Sequence, residues 1–460
     1  MRSRLCRSLV LTGALTLTLV SAAGVSTASA SAIGGATAPR PAQASHVLPS
    51  NTRFFVPPPA DGSLSQIAGL LKSHDIKDAG LLAEMETVPS AVWLTGGTPA
   101  QVAKQVRTTL AEAALERTVP VFVVYDIPGR DCSEYSAGGA ADQAAYGAWV
   151  DAVAKAVGGT RAVLLVEPDA LGNMPSDCNL PTSSYPYTDA QRTAEVDDAV
   201  TSLERDANTS VYLDGTNSHW QAVGNISSRL LQAGVQRAQG FFLNVSNFQT
   251  DAASQDYGSW ISSCIAMISD PSNWAYNHPD YCASQYYPAT FSDFSTWSQT
   301  TAWYAQNMAG AVATTHYVID TSRNGLGQNT MQGYTKAPYN QSEATATALE
   351  LGAWCNPTEA GLGARPTART GVPLLDADLW VKTPGQSDGQ CDAAGGVRTW
   401  DYSAYTQPGW PQDAAGQNLF DPLWGRVDPA AGAWFPAQAL SLAQNANPAL
   451  GLNLLAGQGR

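Results

Sequence analysis

Ala162-Val163-Leu164-Leu165-Val166-Glu167-Pro168-Asp169-Ala170-Leu171 is an apolar run of strand length that carries two carboxylates to its own end. Five consecutive Ala, Val and Leu residues describe a strand buried on both faces, as in parallel sheets. Pro168 lacks the N–H for a further ladder bond and turns Glu167 away from helix, so the strand stops there and Asp169 opens a loop. A strand end capped by acids would explain this stretch alone. A second run, Val121-Phe122-Val123-Val124-Tyr125-Asp126, ends in the same way and is followed by Gly129-Arg130-Asp131-Cys132. Two buried strands presenting acids at the same end point to a paired-carboxylate site.

Working outward, seven strand-like runs follow one another at 91–95, 120–126, 162–167, 210–214, 240–245, 316–320 and 374–383. Helical patterns separate them; in 99–118, Val102, Val106 and Leu110 fall at helical spacing. This alternation predicts a parallel sheet, and the expected fold is α/β: a distorted seven-stranded, TIM-like β/α barrel. Polar residues stand just after the strands: Asp131, Asp169, Asp214, Asn244 with Asn247, Asp320 with Arg323, and Lys382 with Asp388. In such a barrel those ends converge on one face, where the active site lies. The stretch 247–315 is expected as a disulfide-stapled insertion beside that face. No linker followed by a second module and no internal repeat is visible, so 51–455 is expected to be one catalytic domain.

The N-terminus has the form of a secretory signal over 1–30: Arg2, Arg4 and Arg7, an apolar core from Leu9 to Val20, and the small residues Ala28-Ser29-Ala30. An Ala-, Pro- and Ser-rich flexible leader is expected at 31–50. Losing the three arginines takes the formal charge from -14 to -17. That acidity disfavours nucleic acid and anionic membranes as partners and suits a soluble, secreted monomer acting on a neutral substrate. Six cysteines remain after Cys6 leaves with the signal, and an even number in a secreted chain favours disulfides. Fifteen connectivities are open; pairing in sequence order, Cys132 with Cys178, Cys264 with Cys282 and Cys355 with Cys391, closes the shortest loops. No C-x-x-C occurs, and His46, His74, His219, His278 and His316 show no zinc spacing, so neither metal nor cofactor is expected.

Thirteen Trp and seventeen Tyr stand in a chain with only 14% charged residues. Most such rings are core, but Trp93 ends the first strand, Trp220 lies after the fourth and Trp354 precedes Cys355. Aromatic faces at a barrel mouth stack on the C–H faces of sugars, while acids and amides take the hydroxyls.

Four stretches in this order resemble glycoside hydrolase family 6, the secreted cellulases, from about residue 53 to 452: Tyr125-Asp126-Ile127-Pro128-Gly129-Arg130-Asp131-Cys132; Val166-Glu167-Pro168-Asp169; Ile319-Asp320-Thr321-Ser322-Arg323-Asn324-Gly325; and Trp354-Cys355-Asn356-Pro357 continuing to Leu379-Trp380-Val381-Lys382-Thr383-Pro384-Gly385-Gln386-Ser387-Asp388-Gly389. The resemblance implies a secreted enzyme cutting β-1,4-glucan with inversion. It makes Asp169 the general acid, Asp131 the acid that keeps Asp169 protonated, and Asp388 the candidate base. Tyr125 would crowd the reactive sugar, Arg130 and Asp214 would orient the site, Ser136 would hold water, and Lys382 with Gln386 would bind hydroxyls. Trp93, Trp220 and Trp354 would be stacking platforms.

Three departures stand against that pattern: Gln386 replaces a usual Glu, Asn217 a usual His, and Thr358-Glu359-Ala360 a usual Gly-Arg. A glucan-binding protein with weakened catalysis therefore stays open beside the hydrolase. Internal cutting is expected over chain-end attack, since only Gly389 and Gln390 separate Asp388 from Cys391 and Val223 stands where chain-end enzymes carry a second Trp.

Overall fold

The strand at 162–166 lies between its predicted neighbours in a parallel sheet of order β1-β2-β3-β4-β5-β6-β7. The computed structural model describes residues 47–451 except 207, 328, 338, 394–395, 399–410 and 417; the signal at 1–30, and the leader up to residue 46, lie outside these. The strands are β1 Val92–Leu94, β2 Val121–Val124, β3 Ala162–Val166, β4 Thr209–Asp214, β5 Gly240–Leu243, β6 His316–Asp320 and β7 Leu375–Leu379, with a small antiparallel pair, β8 Phe420–Asp421 and β9 Arg426–Val427, outside the sheet. The helices are α1 Ser63–Lys72, α2 Ile76–Met85, α3 Pro99–Glu116, α4 Gln143–Val157, α5 Asp189–Leu203, α6 Val223–Gln232, α7 Asp251–Ser269, α8 Ser298–Asn307, α9 Glu343–Leu349 and α10 Pro436–Gln444.

Alternation along each strand divides the core in two. Val121, Val123, Val163, Leu165, Tyr212, Phe242 and Val318 pack together inside the curled sheet. Phe122, Val124, Leu164, Val166, Val211, Leu213 and Phe241 face outward onto Trp149, Val153, Val200 and Ile226 of the surrounding helices. Both faces are dry, which is why these strands are unbroken apolar runs. The helix predicted at 99–118 is α3, opened by a Thr98–Gln101 capping box with Pro99 in its first turn.

No ladder joins β1 to β7. The edges meet through the Ala91 N–H to Trp380 O at 2.9 Å and the Trp93 Nε1–H to Val381 O at 2.8 Å. The result is a distorted seven-stranded parallel β/α barrel. The six cysteines of the described residues pair in sequence order, as Cys132–Cys178, Cys264–Cys282 and Cys355–Cys391.

Beyond shifts of one or two residues at strand ends, three features differ from expectation. The seventh strand ends at Leu379 rather than 383, because Val381 and Lys382 give their N–H groups to the Asp320 carboxylate instead of a neighbouring strand. Leu48 is buried with the inward core, so the last leader residues belong to the fold. The stretch 247–315 is not simply an insertion: α7 within it is a crossover helix of the barrel wall, with Tyr257, Trp260, Ile261 and Ile265 buried. Only part of it reaches the Trp220 loop, through Gln285 to Ser218 O at 3.1 Å and Tyr286 to Trp220 O at 2.9 Å.

Candidate active site

The C-terminal strand ends gather the titratable residues, and the backbone there is bent unusually hard. Asp131, Glu167, Asp169, Thr216, Asn244 and Asn356 all have positive φ without being glycine. Such conformations cost energy and persist where surrounding bonds over-determine them, most often at functional sites. Here those bonds come from buried carboxylates. Glu167, with no exposed surface, accepts the Asp126 and Ile127 N–H groups at 2.9 and 3.1 Å, locking the end of β3 to that of β2. Burial pushes its pKa up to about 8. Asp320 accepts from Ser322, Val381, Lys382 and Ser246, which ties β6 to β7 and to the turn after β5. Asp214 accepts the Gly172 N–H at 3.2 Å and the Thr216 N–H at 2.8 Å, so it braces the turn that follows Asp169.

Within this frame, Asp169 is partly buried and its carboxyl has no hydrogen-bond partner among the described residues. Burial first, then the charges of Asp214, Asp131 and Asp388, raise its pKa well above the ordinary carboxylate value, opposed by Lys382. Asp131 accepts the Ser136 N–H at 2.6 Å, and burial raises it to about 6. Burial likewise lifts Asp214 to about 6, against the backbone donors it accepts. Asp388 is the opposite case. Burial alone would raise its pKa, but Arg323 at 2.6 Å and Lys382 at 2.7 Å outweigh it and hold the carboxyl below its ordinary value. The Asn356 N–H adds a third donor at 2.9 Å. One site thus pushes Asp169 toward its protonated form and Asp388 toward its ionised form, the arrangement that acid and base work at one pH requires.

The other expected residues fall as follows. The Arg130 guanidinium lies 4.5 Å from the centre of the Tyr125 ring and donates to the Ser136 carbonyl at 2.7 Å. Trp93 meets Tyr125 edge-on at 5.3 Å. Trp220 packs against Gly172, one turn beyond Asp169. Trp354 contacts Tyr135 at 6.2 Å, and its carbonyl accepts from Arg323. Gln386 is held by its backbone, bridging Trp434 and donating to Thr383 O, and its amide has no bond to Lys382 among the described residues; Lys382 turns to Asp388 instead.

The sequence placed Arg323 among the polar residues at the strand ends without a partner, and gave Asn356 no role. Both lay inside the quoted motifs, but only the fold brings them to Asp388. Among the described residues, no group of three or more His, Cys, Asp or Glu could hold a metal, and no helix is long and apolar enough to cross a membrane.

Comparison with known proteins gives the family and the fold. Residues 49–446 match the family described as Glycosyl hydrolases family 6. Endoglucanase A of Cellulomonas fimi is 32% identical over 324 residues, covering 70% of this chain and 54% of its own length. Endoglucanase 1 of Streptomyces halstedii is 29% identical over 358 residues, 77% of this chain and 87% of its own. A solved endoglucanase from Mycobacterium tuberculosis, in complex with methyl-cellobiosyl-4-deoxy-4-thio-β-D-cellobioside, is 30% identical with a TM-score of 0.57 and covers 87% of this chain and 99% of its own. The chain thus spans about half the length of the Cellulomonas relative.

Proposed function

This chain belongs to glycosyl hydrolases family 6, and on that premise we propose that it is a secreted, inverting β-1,4-glucanase that cuts cellulose or a related β-glucan internally. Its catalytic domain spans 51–455 together with the last leader residues around Leu48, behind a signal at 1–30 and the rest of the leader from residue 31. The observation that carries the reading is the pair of opposed carboxyls: Asp169 raised, its carboxyl without a hydrogen bond among the described residues, and Asp388 held down by Arg323 and Lys382.

Asp169 protonates the departing glycosidic oxygen, and Asp131 and Asp214 keep its proton in place by like-charge pressure. Water attacks from the opposite face of the sugar, with Asp388 as the carboxylate that draws its proton. All three donors on Asp388 weaken it as a base, which favours proton removal through water rather than by direct contact. Tyr125, Arg130, Ser136, Lys382 and Gln386 take the reacting sugar and its hydroxyls, and Trp93, Trp220 and Trp354 offer stacking faces. The substrate is the partner; no nucleic acid, membrane or cofactor has a part, and the protein acts as a monomer.

Internal cutting is supported by the relatives above, which are named endoglucanases, and by the two residues between Asp388 and Cys391. Chain-end attack is favoured by one observation: Tyr135, on the Asp131 loop, bonds the Val397 N–H at 2.8 Å and lies against Gly389, joining the two acid-bearing loops. The Trp- and Pro-rich stretch 392–435 is the segment that would roof such a cleft, and 394–395, 399–410 and 417 of it lie outside the described residues.

Viscosity and reducing ends followed together on carboxymethyl cellulose test this reading. The wild type should lose viscosity steeply per bond cut, and Asp169→Asn should be slower by about 10²-fold or more while still binding cellotetraose. Slow thinning with cellobiose as nearly the sole product would show chain-end attack. Near-normal turnover in the variant would remove Asp169 from its role.

A further inference from the structure

Behind Asp388 lies a second group of buried acids that the reaction does not touch. Asn356, between the disulfide Cys355 and Pro357, is the connection. Its backbone N–H donates to Asp388 Oδ2 at 2.9 Å, and its Oδ1 accepts the Asp388 N–H at 2.8 Å. It stands at φ +42 and is fully buried, so its amide has one useful orientation. That orientation is held from the far side: Nδ2 donates to Asp428 Oδ2 at 2.9 Å and to Gly389 O at 2.8 Å.

The support comes from the β8–β9 pair. Trp424, in its turn, donates from Nε1 to Asn356 O at 2.8 Å, and Asp428 follows β9 directly. Asp421, in β8, has both oxygens occupied. Oδ1 accepts the Leu423 and Trp424 N–H groups at 2.8 and 3.1 Å, and Oδ2 accepts from Arg398 at 2.7 Å. Asp428 Oδ1 is buried and receives no N–H or O–H among the described residues; the group it meets is the carboxyl of Asp421. Two facing carboxyls out of water cannot both be ionised and hold one proton between them. Three N–H donors on Asp421, one of them the buried Arg398 guanidinium, favour its ionised form and leave that proton to Asp428 Oδ1, aimed at the remaining acceptor capacity of Asp421.

We propose that Asp428 is a positioning residue: as a neutral acid fixed by Asp421, it holds the Asn356 amide, and Asn356 holds the Asp388 carboxylate in register with Arg323 and Lys382. This rests on the reading of Asp388 as the carboxylate that serves the attacking water. The choice of residue has a specific consequence. A protonated Asp and an Asn present the same groups here, an acceptor to Asn356 and a donor to Asp421, so the amide should replace the acid while smaller side chains should not.

The test compares Asp428→Asn, Asp428→Ala and Asp388→Asn with wild type in the full chain, measuring kcat and KM on mixed-linkage β-glucan. Asp428→Asn should keep kcat within about 3-fold of wild type, and Asp428→Ala should lose about 10- to 100-fold in kcat with KM unchanged, the size expected when a reacting group is displaced by a fraction of an ångström. If Asp428→Ala does not fold, Asp428→Ser, whose hydroxyl is too short to reach Asn356, takes its place with the same expectation. Wild-type kcat in the truncated variant, or equal losses in Asn and Ala, overturns the proposal. Should Asp388→Asn be inactive while Asp428→Ala is unaffected, the inference alone fails. An active Asp388→Asn removes the role of Asp388, and the inference with it.

Discussion

Asp169 and Asp388 carry the same carboxyl on opposite sides of its ordinary pKa, and their neighbours decide which way each goes. Asp169 has three acids near it and one cation, whereas Asp388 is pinned by Arg323 and Lys382 with 1% and 13% side-chain exposure. Arg323 is the decisive partner because, almost fully buried, its charge is unscreened by water. Replacing it with Met leaves Asp388 with the Asn356 N–H and Lys382 and without its buried guanidinium, so the carboxyl that was held down should titrate higher. A group that must be ionised fails as pH falls through its pKa; the acidic limb of kcat/KM should therefore move up by about 1–2 pH units in Arg323→Met. A pH–rate profile on a soluble β-glucan checks this, and an unmoved limb would mean that Asp388 does not set it.

At the scale of elements, the loop 131–139 shows how the site depends on backbone that carries no chemistry. Gly139 sits at φ +97, and a Cβ there would lie 1.9 Å from Ile127 O. The clash is with backbone, so neither partner can rotate away. Gly139→Ala should lower stability by about 1–3 kcal/mol and kcat by about 10-fold or more through displacement of Asp131, read by thermal melting beside turnover; normal kcat would show that the loop adapts. The loop also shows what a sequence can disclose. Its acid was legible because Asp131 follows a strand buried on both faces, and such strands are unmistakable apolar runs. The pairing of Asn356 and Arg323 with Asp388 was not, since it lies in bonds to a residue 32 and 65 positions away. Helix α7 was obscured because much of its buried face is Ser, Ala, Gly and Cys, which reads as loop. The β8–β9 pair, two residues per strand, leaves no periodicity to detect.

For the whole molecule, concentrating acids at one end of a barrel has a price in stability that depends on pH. Burial raises Asp126, Asp131 and Asp214 to about 6, Glu195 and Asp378 to about 7, and Glu167 to about 8. In the unfolded chain the same groups titrate near 4. An acid raised on folding binds its proton more tightly in the folded state. Its contribution is therefore complete below about pH 4 and is lost as pH rises through the folded value. Asp388, lowered on folding, works in the opposite sense but only below about pH 4, where its contribution falls away. Between these limits the raised groups dominate, and the formal charge of -14 adds repulsion as the last of them ionise. The melting temperature of the full chain should accordingly be highest near pH 4–5 and fall, by on the order of 5 °C, between pH 5 and pH 8. The decline should be steepest below about pH 6, where all six groups still hold protons that the unfolded chain has released, and should level off above about pH 7, where only Glu167 still does. Scanning calorimetry at constant ionic strength measures it. A melting temperature flat or rising over that range would mean that these carboxyls are ionised in the fold at little cost, and that Asp169 must be kept protonated by its immediate neighbours alone.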